Sequence, residues 1–184
     1  MVTHEEMVDA FGDDWVMRMP PEVARRHGSG EADWRVLTEV GLPKMFTDLL
    51  VFGDISAGEP RTVASIFSSV AEERVNFGDD LVVASGMGGL TCLSGNDGRI
   101  YWYKPGDAKR NGALINSTLE LFVETLYQVS LLLADLHPGD ESEVGESLRA
   151  LIPKISVIDP PSLESPVQYW QLLLLFSLRS IAAE

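Results

Sequence analysis

Chemistry in a protein needs a nucleophile beside a base, acids converging on a metal, or a backbone cradle for phosphate, and this chain holds a candidate for each. Cys92 stands between Thr91 and Leu93 in an apolar, β-branched run. There it reads as a small buried hydrophobe on a strand, with no neighbouring base to make a thiolate. His4, His27 and His137 stand in capping or loop contexts and are not paired at ligand spacing. Gly-Asp-Asp occurs at Gly12 to Asp14 and again at Gly78 to Asp80; both read as turns, since metal chemistry requires further acids from elsewhere. Gly86-Met87-Gly88-Gly89 looks like a phosphate loop, but Thr91 occupies the third glycine position and a strand follows where a helix N-terminus is needed. Asn116-Ser117-Thr118 matches a glycosylation acceptor and reads instead as a helix cap. The expectation is a protein with no catalytic residues, no cofactor and no metal.

The elements that position these residues centre on Leu81 to Tyr103. Leu81 to Ala84, Leu90 to Leu93 and Arg99 to Tyr103 read as three consecutive antiparallel strands, rich in β-branched and aromatic residues between glycine breaks. Asn96-Asp97-Gly98 supplies the last turn, because these residues tolerate positive φ.

Upstream, Thr3 and Glu6 form a capping box for a helix that Gly12 stops. Trp15 to Met19 reads as a strand, Pro20-Pro21 as a helix start, and Glu31 to Val40 as a helix closed by Gly41. Leu49 to Phe52 is expected as the first strand of the sheet, and Pro60 to Glu73 as a helix carrying Val63, Ile66, Phe67 and Val70. Downstream, Ala113 to Ile115 is expected at a sheet edge. Ser117 and Glu120 form a second capping box for an amphipathic helix to about Leu136. A short helix from Asp140 to Glu143 onward should end at Pro153, Asp159 to Ser162 should be a linker, and Ser165, Pro166 and Gln168 should start a final buried helix. That helix is too short and too interrupted by Gln171, Ser177 and Arg179 to span a bilayer.

With 184 residues, 45% of them hydrophobic, the chain is the size of one domain and can bury a core, roughly 70% of its unfolded surface. The expected organisation is a single α+β domain over residues 1–184, with 1–30 as an N-terminal helical extension. Its 28 Asp and Glu against 14 Lys and Arg give a net charge of -14. Such a field repels nucleic acid and anionic membranes and attracts basic proteins, although the simpler reading, placed ahead of it, is acidity that serves solubility alone. The N-terminus places acids where a secretory signal has a basic and then an apolar region, so the expected compartment is the cytoplasm.

The succession LTEVGLPKMF (Leu37 to Phe46), Leu81 to Gly86 leading into LTCLSGNDGRIYW, INSTLELF (Ile115 to Phe122), and Ile158-Asp159-Pro160 before Tyr169-Trp170 resembles the SUKH superfamily of bacterial immunity proteins, most closely its fourth immunity family. The resemblance covers about Val36 to Leu178. It implies an α+β fold with a mixed or mainly antiparallel sheet covered by helices, and no enzymatic activity. It also implies the task of binding and neutralising a toxin domain such as a nuclease or deaminase. A regulatory adaptor of the same fold is the alternative reading, and a ligand-binding or hydrolytic cleft a third.

If a basic toxin surface docks on this acidic chain, the acids not already explained by helix caps are the candidate contacts: Asp79, Asp80, Asp97 and Asp107, with Asp140, Glu141 and Glu143 as a second group. Tyr101, Trp102 and Tyr103 are the candidate anchors for an apolar interface.

Overall fold

The computed structural model describes residues 1–27, 30–57, 59–66, 80–104, 112–135, 141–164 and 168–181. The chain opens with α1 (His4–Phe11), whose Thr3 and Glu6 form the reciprocal capping box expected from the sequence. The His4 ring then ties α1 to the next layer, because its Nδ1 donates to the Val40 carbonyl at 2.8 Å. β1 is only Val16–Met17, with Trp15 ahead of it in a 3-10 turn. α2 (Pro21–His27) follows, then α3 (Glu31–Arg35), which widens into a π turn over Val36–Val40. Gly41 closes that turn at φ +95°, where a Cβ would sit 2.8 Å from the Met17 carbonyl oxygen, so both conformation and space require glycine.

β2 (Leu42–Pro43) pairs with β1 in a two-stranded sheet. Among the described residues the main sheet has six strands in sequential order, each antiparallel to the next: β3 (Met45–Phe46), β4 (Leu50–Phe52), β5 (Leu81–Gly86), β6 (Gly89–Leu93), β7 (Ile100–Tyr103) and β8 (Ala113–Asn116). The strand expected first, at Leu49 to Phe52, is therefore second, with β3 outside it. Met87 and Gly88, both at positive φ, make the tight β5–β6 turn. In the β6–β7 turn Gly98 alone takes positive φ (+70°), and its amide donates to the Ser94 carbonyl at 3.0 Å. The α+β architecture and the three-strand centre are those read from the sequence.

α4 (Val63–Ile66) lies within the expected 60–73 helix, of which 67–73 fall outside the described residues. α5 (Leu119–Ala134), α6 (Glu141–Ile158), α7 (Pro160–Leu163) and α8 (Tyr169–Ile181) complete the chain. Among the described residues no helix is long and apolar enough to cross a membrane.

Four local expectations are corrected. The N-cap of α5 is Thr118, whose side chain accepts from the Leu121 amide at 3.2 Å. Ser117 is drawn instead to Asp159, and Glu120 pairs with Arg35 at 3.3 Å. α6 continues through Pro153, since Leu151 and Ile155 are buried on either side of it. Arg149 and Pro153 lie on the exposed face, where water can satisfy the carbonyl that proline leaves without an amide. Asp159 to Ser162 is no linker, because Asp159 is buried and leads into α7. Gln168, at φ +47°, cannot lie inside a helix, so α8 starts after it; Ser165 and Pro166 lie outside the described residues.

The sheet has two unlike faces. One buries Phe46, Leu50, Phe52, Leu81, Leu93 and Ile100 in a core shared with α1, α2, α3, α5, α6 and α8. A bulge between Val82 and Ala84 lets Val83 and Ala84 both reach that core. Phe122 of α5 links Phe52 (ring centroids 6.4 Å apart) to Trp170 (5.7 Å). The other face carries a small cluster, Val82 and Cys92 under Val63 of α4.

Candidate partner-binding surface

The β6–β7 hairpin brings four of the sequence candidates to the outer face of the sheet. Asp80, just before β5, is buried; its Oδ1 accepts from the Gly95 amide at 3.1 Å and its Oδ2 from Tyr103 Oη at 3.2 Å. Asp97 stays exposed at the tip, accepting from Tyr101 Oη at 2.9 Å and from the Arg99 amide at 3.2 Å, with Arg99 Nε at 3.8 Å. The two tyrosine rings lie 6.2 Å apart and both lean towards the hairpin tip, so Asp80 and Asp97 sit at one end of the sheet.

These contacts set the electrostatics. Burial pushes the Asp97 carboxyl up, but hydrogen bonds from Tyr101, Arg99 and Ser94 and the Arg99 charge outweigh it, leaving it below its ordinary value. Burial and then the Asp97 hydrogen bond raise the Tyr101 phenol, and burial and the Asp80 charge raise that of Tyr103. Cys92 is free and buried, with its thiol pushed up by burial and by the Asp80 charge, which suppresses the thiolate. Among the described residues no group of three or more His, Cys, Asp or Glu is placed to hold a metal ion.

The remaining candidates lie elsewhere. Trp102 turns to the helix-covered face, where its Nε1 is buried without a hydrogen-bond partner and stacks so closely on Gly89 that a Cβ there would lie 2.4 Å from it. Glu141 and Glu143 belong to the first turn of α6, apart from the hairpin in sequence. Asp79, Asp107 and Asp140 lie outside the described residues.

Sequence reasoning passed over two features. The first is internal: the Asp159 carboxylate, 1% exposed, accepts from Asn116 Nδ2 (3.0 Å), the Ser117 amide (2.7 Å) and Ser117 Oγ (2.8 Å). Asn116 Oδ1 accepts in turn from Trp170 Nε1 at 3.1 Å, and Asn116 Nδ2 also donates to Thr125 Oγ1 of α5 at 3.4 Å, so one buried network joins β8, α5, α7 and α8. The second is external, a cleft of about 400 Å³ on the outer face, with Val51, Ser85 and Leu90 among its lining and Asp54, Glu59 and Arg61 beside them. Its signal in the sequence was Val51 itself, an apolar residue at the outward position between buried Leu50 and Phe52.

A family model described as SUKH-4 immunity protein matches residues 2–175. No curated protein and no solved structure matches the chain.

Proposed function

The chain belongs to the SUKH-4 immunity protein family and so neutralises a toxin, and on that premise we propose that it acts in the cytoplasm by stoichiometric binding to a basic surface of the toxin domain. The observation that carries this reading is the family match across 2–175. The net charge of -14 supports its electrostatic part. A nuclease presents cations to phosphate, and a deaminase of nucleic acid does the same, so an acidic protein is complementary to either. The chain's own residues supply contacts rather than chemistry. Asp97 with Tyr101 at the hairpin tip, and Glu141 and Glu143 on α6, are the proposed polar contacts.

The test is inhibition of the toxin domain that the protein retains in a pull-down from its native cytoplasm, titrated with purified protein. Complete inhibition at one protein per toxin is the expected result, with slower association as salt rises and the Debye length shrinks from about 8 Å toward about 3 Å. Inhibition at far below one equivalent would mean turnover and overturn the binding mechanism.

A further inference from the structure

We propose that the outer face of the sheet is the docking surface, and that it receives an apolar side chain carried on a Lys- or Arg-bearing surface of the toxin. This rests on the immunity reading above and adds where, and with what chemistry, the partner is held. The ladder fixes the geometry: Met45 stands opposite Val51, Val51 opposite Ser85, Ser85 opposite Leu90, and Leu90 opposite Tyr103. Directly opposed residues in antiparallel strands share a face. These five therefore form one row across β3 to β7, spanning about 19 Å at four strand spacings of about 4.8 Å.

The row is apolar except for Ser85 and is left partly open. Val51 is 53% exposed and Met45 36%, while their strand neighbours Leu50 and Phe46 are buried in the core. Leu90 and Tyr103 are half-buried against the Val63 cluster. The adjoining row, Val82 and Cys92, is already covered by α4. Three members of the open row, Val51, Ser85 and Leu90, line the cleft of about 400 Å³, with Val82 and Ile66 of the covered cluster at its side. An apolar floor of this kind inside a polar rim is the anatomy of a protein interface core.

Charge selects the occupant. Asp48 is exposed at the β3–β4 turn, and Asp54 and Glu59 border the cleft, against Lys44 and Arg61. Three carboxylates against two cations, on a chain of net charge -14, favour a cationic protein.

The experiment measures affinity by calorimetry for that same toxin domain, inactivated at its catalytic residue, beside inhibition assays with the active domain. Val51→Lys and Val51→Asp should each weaken binding about 30-fold or more, as for an interface anchor. Val157→Lys, at an 84% exposed position on α6, should leave it within about threefold. Unchanged melting curves for all three variants are expected, since the positions are exposed. Tighter binding by Val51→Asp would overturn the apolar floor and leave charge alone. Loss of binding on Trp15→Ala, at an exposed aromatic beside Asp13 and Asp14, with the Val51 variants unaffected, would overturn the location. A wild-type dimer in sedimentation that Val51→Lys dissociates would make the occupant a second copy and overturn the proposal. A wild-type protein that neither binds nor inhibits the toxin would overturn the immunity reading and this proposal with it.

Discussion

On the helix-covered face of the sheet, polar side chains other than Trp102 end in hydrogen bonds to protein. Asp159, Asn116, Ser117 and Trp170 satisfy one another, and Thr91 shares a buried hydrogen bond with Tyr169 Oη at 3.1 Å. On the outer face buried Asp80 meets half-buried Tyr103, Asp97 reaches water, and Val51 is 53% exposed. The same strands therefore fix the fold through one side and leave contact surface on the other. A substitution should act on stability wherever the side chain meets a buried group, and on binding at the exposed positions of the second face.

The largest expected effect tests the first half of that contrast. Asp159→Ala strands two amide donors and a hydroxyl among buried groups, and should cost about 3 to 5 kcal/mol in denaturant unfolding; a loss under about 1 kcal/mol would break the contrast. Next is Tyr103→Phe, which removes the donor to a buried carboxylate and should cost about 1 to 1.5 kcal/mol. Smallest is Val51→Lys, which should move stability by less than about 0.5 kcal/mol.

Acid and alkali should separate the faces as well. Burial raises the Tyr169 phenol, only partly offset by its hydrogen bond to Thr91. The unfolded chain ionises this phenol first, so stability present below about pH 10 should fall as pH rises beyond it. Phenolate absorbance of Tyr169 should appear only with unfolding. Asp97 has the opposite sign, since its folded value is depressed. Its contribution holds above the unfolded carboxylate value of about 3.9 and is lost as pH falls through the folded value. Carboxyl NMR titration should place Asp97 below about 3.9 while the helix-covered core stays intact.

The β6–β7 hairpin and the α5 face were legible in the sequence because their signals are local: Asn96-Asp97-Gly98 marks a turn, and Leu119, Phe122, Val123 and Leu126 repeat at helical spacing. The most specific pieces of the family resemblance were the same stretches, and the resemblance is upheld by the match over 2–175. The Asp159 network was not legible, since Asp-Pro-Pro-Ser is linker composition and its partners lie 42 and 43 residues away. For the same reason Ser117 was read as a cap, its local partner Glu120 being visible and its distant one not. Pro153 carries a strong stop signal that burial of Leu151 and Ile155 overrides. On the outer face, alternation around Val51 marks an outward position, but only the strand register shows that Met45, Leu90 and Tyr103 extend it.

The sequential order of the six strands also bears on how the chain reaches its native state. Every strand pairs with its sequence neighbour, so apart from the long β4–β5 connection each pairing closes over a short loop at small entropic cost. A sheet of this kind is expected to form early, from contacts near in sequence. The Asp159 bonds reach back across 42 and 43 residues to β8 and the start of α5. The C-terminal helices would then dock late, on a sheet already in register. Asp159→Ala should therefore leave the folding limb of the chevron almost unchanged and steepen the loss of native protein by speeding unfolding.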